Sequence, residues 1–230
     1  MLRLHLRYLL SRFNIITIMV ILLLYLGGLI VSVLSVPKEM TIDVARSVYF
    51  YNLVSILKII VILLIVFLFS LSALTNNDNY QLYILNKRKE RIKYYFTKIL
   101  ALTIITIIII FFLFILFVLI GLMFSNWYKI ELKHLRFFLY LFLISMMYGL
   151  FSYNLIKVLN SLIVILIPCL IIILEEAFMN EQIIKYLSYM FPFIENNDKM
   201  VLSYGIVHII ILILCYLLLG LIRSYTLDIK

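Results

Sequence analysis

Charge is what this chain has least of. Only 13% of its 230 residues are Asp, Glu, Lys or Arg, against 66% hydrophobic. No soluble domain of that length hides so much apolar surface. Cysteine, proline, glycine and tryptophan are scarce as well, at two, three, six and one. The two cysteines, Cys169 and Cys215, fall inside apolar runs and read as small buried hydrophobes, not as a disulfide or a metal site. None of the six glycines begins the pattern G-x-x-x-x-G-K-[ST], which excludes a phosphate-binding loop of that kind. No His/Cys/carboxylate cluster has metal-ligand spacing, and Cys169 has no histidine near it in sequence to activate a thiol. Short alternating segments are missing too, which excludes a β-barrel. No small-x-small site follows the first apolar run, so no cleavable signal is expected.

What remains is a set of apolar runs, most of them near the twenty residues that cross a bilayer. The chain therefore reads as an all-α integral membrane protein, one transmembrane domain over 1–230 with six transmembrane helices. The spans are expected at 15–36, 49–74, 99–124, 137–153, 161–174 and 201–222. Before them, 1–13 places Arg3 and Arg7 on one face and Leu2, Leu6, Leu9, Leu10 and Phe13 on another. That is an interfacial helix lying on the membrane surface. Gly27-Gly28 in the first span allows close helix contact or a bend. Lys58 interrupts the second span and either snorkels outward or faces a protein interior or substrate path. Its place in the outer third of that span favours snorkelling.

Between the spans, 37–46 reads as a polar outer loop, and 125–136 as a second one with Trp127 and Tyr128 as interface anchors. A short turn is expected around Asn154, Lys157 and Asn160. The fifth span is short and broken by Pro168. The stretch 175–200 is polar yet aromatic, with Tyr189, Phe191 and Phe193 around Pro192. Its length and apolar residues predict a re-entrant outer segment between helices 5 and 6, acting as a gate.

Charge orients the plan. With both termini cytoplasmic, the inner segments hold twelve Lys and Arg and the outer ones seven. That bias sets the orientation. The net charge of +9 thus reflects membrane topology, and no nucleic-acid-binding motif accompanies it.

The longest polar interruption is 75–98. It carries Lys87, Arg88, Lys89, Arg91, Lys93 and Lys98 against only Asp78 and Glu90. Tyr80, Leu82, Tyr83, Leu85 and Ile92 recur at roughly helical spacing opposite the basic residues. The expectation is a short amphipathic interfacial helix, a turn, and a basic entry into the third span. Such a surface is built for docking.

One catalytic pattern is tempting. Glu175-Glu176 resembles the paired glutamates of a family of intramembrane proteases, but Asn180 stands where that family has Arg. His208 is the only histidine expected inside a span. The structural alternative is that the two carboxylates cap the outer end of the fifth span.

At 75–98 the chain resembles the membrane subunits of ABC-2 type exporters. Between their second and third spans these carry an acidic residue, an apolar pair or triplet, a Pro, an Arg three residues on, and a Lys seven after that. Asp78, the run 82–85, Arg91 and Lys98 match, and Arg88 stands where the Pro is usual. The resemblance implies that Asp78, Tyr80, Tyr83, Leu85, Lys87, Arg88 and Arg91 couple to a separate ABC ATPase subunit. ATP and Mg would be bound there, with no cofactor in this chain. It implies a second permease subunit, identical or different, and a path or gate drawn from Lys58, Glu175, Glu176, Tyr189, Phe191 and Phe193. The small size resembles exporters of amphipathic peptides (toxins, bacteriocins, antimicrobial peptides), including those giving self-immunity, in a bacterial cell membrane. A membrane immunity or sensor protein without transport is the alternative reading, and an intramembrane protease the third.

Overall fold

The computed structural model describes residues 12–34, 41–74, 88–124, 128–159, 165–177, 191 and 205–226. They form six helices, and no strand occurs among the described residues: α1 (Arg12–Leu34), α2 (Ile42–Leu74), α3 (Arg88–Phe124), α4 (Leu132–Leu159), α5 (Leu166–Ala177) and α6 (Gly205–Thr226). Four of them, α2, α3, α4 and α6, are long and apolar enough to cross a membrane. Within α1 a shorter apolar stretch runs over Ile18–Leu34.

Several helices start earlier or end later than hydrophobicity alone predicts. The loop expected over 37–46 gives way to helix at Ile42. The Thr41 carbonyl accepts from the Ala45 N–H at 2.9 Å, closing the first turn. Asp43 stands in that turn, where a negative charge favours the helix N-terminus, and Arg46 pairs with it at 3.4 Å. α3 begins at Arg88, eleven residues before the expected entry at 99, with no turn between Arg88 and Lys98. Arg, Lys, Glu and Tyr over that stretch are tolerant of helix, and no Gly or Pro interrupts them. α4 likewise runs through Asn154 and Lys157 to Leu159, so the chain does not turn at those two residues, and Asn160 lies outside the described residues. The interfacial helix expected at 1–13 lies mostly outside the described residues, but Arg12 and Phe13 already belong to α1.

α5 differs in the opposite sense. Its 12 residues span about 18 Å, well short of a hydrocarbon core of about 30 Å. Pro168 sits in the first turn of the described helix, where its missing N–H and fixed φ are tolerated, and 161–164 of the expected span lie outside the described residues. Glu175 and Glu176 lie within its last turn and not beyond its end. Gly205 opens α6 with φ of +75°, a conformation that favours glycine.

The bundle is built around α2, which touches α1, α3, α4 and α5. Its most extensive partner is α4. Val54, Leu57, Val61, Ile65, Leu68 and Phe69 of α2 are all at most 2% exposed. Opposite them α4 presents Ser145, Gly149 and Ser152, small residues three and four apart, which lets the backbones approach. A Cβ on Gly149 would lie 2.8 Å from the Phe69 ring. The Ser152 hydroxyl folds back on the Gly149 carbonyl at 2.8 Å and also lies 3.4 Å from the Val66 carbonyl of α2, across the seam. α6 packs on α4 and α3 through one narrow face, Ile209, Tyr216 and Gly220, and leaves Val207, Ile211, Leu214 and Leu218 exposed. In α1, by contrast, nothing among the described residues lies within 4 Å of a Cβ added at Gly27.

Opposite outcomes are expected at the two glycines. Gly149→Ala should lower the melting temperature of the detergent-purified chain. The collision with Phe69 is worth about 1–3 kcal/mol, more than the roughly 1 kcal/mol of helix propensity gained. Gly27→Ala should leave it unchanged or raise it. Equal melting for wild type and Gly149→Ala would remove the α2–α4 contact as the tight seam.

Candidate functional site

Two polar clusters lie at opposite ends of the bundle. The first joins the start of α2, the end of α3 and the start of α4. The Tyr25 hydroxyl donates to the Leu113 carbonyl at 3.2 Å, and the Tyr49 hydroxyl donates to the Phe117 carbonyl at 3.3 Å. These carbonyls are one turn apart on α3, so two tyrosines from α1 and α2 read the same strip of its backbone. Tyr49 also stacks on Phe117, centroids 5.4 Å apart. Tyr128 seats its ring against Gly121, where a Cβ would lie 2.7 Å away. Its hydroxyl is buried without a hydrogen-bond partner among the described residues. Burial, and then the nearby Glu131 carboxylate, push the Tyr128 phenol far above its ordinary pKa, so it stays a donor.

His134 closes this cluster. It was expected in an outer loop; it lies in the first turn of α4, 3% exposed. Its ring is parallel to Tyr128 at 5.9 Å and within 4.7 Å of Phe50 and 5.2 Å of Phe117, centroid to centroid. Nδ1 accepts the Glu131 N–H at 3.1 Å, and the His134 N–H donates back to the Glu131 carbonyl at 3.1 Å. The pair caps α4. Lys133 bonds the Glu131 carboxylate at 2.8 Å and covers the Phe50 ring at 5.8 Å. That hydrogen bond holds the Glu131 carboxyl below its usual range. A depressed folded pKa means this contribution is present above the ordinary carboxylate pKa and is lost as pH falls through the folded value.

The second cluster joins the start of α3 and the ends of α4 and α6. Arg91 and Lys98 are seven residues, two turns, apart and share one face of α3. Both are buried, at 8% and 3% exposure. The Lys98 ammonium lies over two rings, Tyr94 at 5.9 Å and Tyr153 at 5.7 Å. The Tyr95 hydroxyl donates to the Leu217 carbonyl at 3.1 Å, and the Asn154 amide donates to the Tyr216 carbonyl at 2.7 Å. Gly220 lets α6 approach beneath them, since a Cβ there would lie 2.8 Å from the Asn154 side-chain oxygen. The Arg223 guanidinium donates to the Lys157 carbonyl. This end is rich in cations, and Glu90 is the acidic residue that the described part of α3 brings to it.

Of the coupling residues expected from sequence, Asp78, Tyr80, Tyr83, Leu85 and Lys87 lie outside the described residues. Arg88 opens α3. Arg91 is inside the bundle and not on its rim. Lys58 is buried, 5% exposed, so the snorkelling expected of it does not occur. The reason is packing: Lys58 stands on the α2 face that buries Val54, Leu57, Val61 and Ile65 in the bundle. Glu175 and Glu176 are placed at the end of α5, while Tyr189 and Phe193 lie outside the described residues. Phe191 is described and is 8% exposed. It stacks on Tyr148 at 5.8 Å and meets Phe151 edge-on at 4.9 Å. That depth is about 24 Å along α4 from Leu132. Among the described residues, no group of three or more His, Cys, Asp or Glu side chains is arranged to hold a metal.

The cluster of Tyr25, Tyr49, Tyr128 and His134 was not foreseen. A signal existed in the spacing of His134, Phe137, Phe138 and Leu141, which marks one helical face. The class these helices define is a helical membrane protein. The chain matches no family model, no curated protein and no solved structure.

His134→Ala should cost about 3 kcal/mol in a reversible unfolding measurement, the scale of a truncated core ring. His134→Phe should cost about 1 kcal/mol, since the ring contacts persist and only the cap is lost. Equal losses would mean that the cap, and not the aromatic packing, holds this end together.

Proposed function

We propose that this chain is the membrane-spanning permease subunit of an ATP-driven exporter of the ABC-2 type, moving amphipathic peptides with a separate ATPase subunit. The observation that carries the reading is the basic stretch between two membrane-length helices, ending in Arg91 and Lys98 at the base of α3. Their two-turn spacing on one face is the Arg–Lys spacing of the resemblance. Lys98 over the Tyr153 ring of α4, and the Tyr95 hydroxyl on the Leu217 carbonyl of α6, link that base to both helices. Movement imposed on the polar stretch would then be transmitted along the α3 helix.

In this reading six crossings leave both termini in the cytoplasm of a bacterial cell, and the Arg91–Lys98 end faces inward by the positive-inside rule. α5 belongs to the fifth crossing. The burial of Phe191 against Tyr148 and Phe151 supports a following segment that returns into the bundle as a gate. A second permease subunit, identical or different, completes the path. Nucleotide and Mg belong to the ATPase, since this sequence has no phosphate-binding loop.

Two measurements test this reading. Single cysteines replacing Asp43, Lys129 and Asn196 should react only with impermeant reagent added outside; reaction of the Asn196 variant solely from the cytoplasm removes the fifth crossing. Tyr83→Ala combined with Leu85→Ala should cost about 2–4 kcal/mol of ATPase docking, as buried interface anchors do. Lys87→Ala should do much less, because rim charges mainly tune rate and salt dependence. The readouts are pull-down of the ATPase and substrate-stimulated hydrolysis in liposomes. Full binding and coupling in the double variant would bring forward the alternative, a membrane immunity or sensor protein without transport.

A further inference from the structure

α3 and α4 touch far less extensively than α2 and α4 do, and an open apolar seam runs between them. Toward the N-terminal end of α4 it forms a groove of about 420 Å³, walled by Ile107, Phe111, Phe114, Phe138 and Leu139, with Arg136 at its edge. Arg136 is the one charged residue on that wall, and it is exposed. Past Phe142, which borders both, a hollow of about 300 Å³ continues between Ile99, Met146 and the exposed flank of α6. Along α3 the seam extends from Ile99 to Phe114, about 22 Å.

Three physical features select the occupant. The seam lies on helices of membrane length, so an apolar body must fill it. Its wall offers almost no hydrogen-bonding group. Thr103 is committed to the Ile99 carbonyl at 2.9 Å, and an extended peptide backbone would find no partners. A helix, about 10–12 Å across, is too wide for hollows of this volume. A single hydrocarbon chain meets all three limits. Arg136 at the edge then supplies attraction for a negative headgroup and repels a cationic one.

We propose that the α3–α4 seam holds one acyl chain of an anionic phospholipid, with the headgroup phosphate on Arg136. This stands independently of the exporter reading, because it needs neither an ATPase nor a transported peptide.

The full chain is reconstituted into nanodiscs containing phosphatidylglycerol or phosphatidylcholine that carries a diazirine on one acyl chain. Photolabelled residues are mapped by mass spectrometry. Labels should concentrate on Phe111, Phe114 and Phe142, and the anionic lipid should label about fivefold more than the zwitterionic one, the scale of one basic residue at a membrane surface. Arg136→Gln should bring that ratio close to one with the same residues labelled. Leu139→Trp should fill the groove and remove the labels from it. If that variant misfolds, the wild-type map and the Arg136→Gln ratio still decide. Labels spread evenly over the exposed faces of α3 and α6 would overturn the proposal, as would a lipid ratio indifferent to Arg136→Gln. Disulfide-linked dimers of Phe111→Cys in place of lipid labelling would assign the seam to a second copy of the chain.

Discussion

The seam between α2 and α4 is the constraint on which the rest of the bundle depends. In a bilayer, apolar burial gives little preference for one helix neighbour over lipid, so shape decides. Gly149, flanked by Ser145 and Ser152, is the place where α4 gives up side-chain volume, and Phe69 of α2 takes it. With that contact made, α2 is enclosed and α4 has one face left. α6 covers part of that face, and α3 meets it only loosely. The tight α2–α4 contact and the open α3–α4 seam are thus two sides of one packing solution.

Polar side chains do the remaining joining, and nearly all of it is to backbone carbonyls. Tyr25, Tyr49, Tyr95 and Asn154 each cross between helices to donate a hydrogen bond to a carbonyl of the neighbour. A carbonyl is already bonded within its helix but keeps a second lone pair, so it is an acceptor available without breaking the helix. Tyrosine suits this: its ring buries apolar area and its hydroxyl finds a partner at the end. The cations at the base of α3 follow the same economy, with Lys98 held against ring faces.

Those two modes distribute rigidity unevenly. The α2–α4 pair and the two aromatic ends are densely packed, whereas α6 is held by one narrow face. In the exporter reading, the less constrained elements are the ones that must move, and the polar stretch before α3 acts on a helix anchored at both ends by tyrosines. In the lipid reading, the loosely closed side of α4 is where the membrane itself enters the structure.

The amino-acid sequence by itself determined that the chain is helical and of membrane type. Apolar runs of bilayer length admit little else, because backbone groups in hydrocarbon must bond within their own segment. The extra turns of α2, α3 and α4 were less legible. Hydropathy reports where a helix leaves the apolar phase, and Asp43, Arg88 and Lys157 continue helices as readily as they end spans. Burial of particular residues was not legible at all. Lys58, Arg91 and His134 read as surface or near-surface groups from charge and position, yet all three are enclosed. Which face of a membrane helix meets protein and which meets lipid leaves almost no mark on composition when both are apolar. The choice was made by the close approach at Gly149, by the carbonyls that the tyrosines reach, and by the volume that α3 and α4 leave open between them.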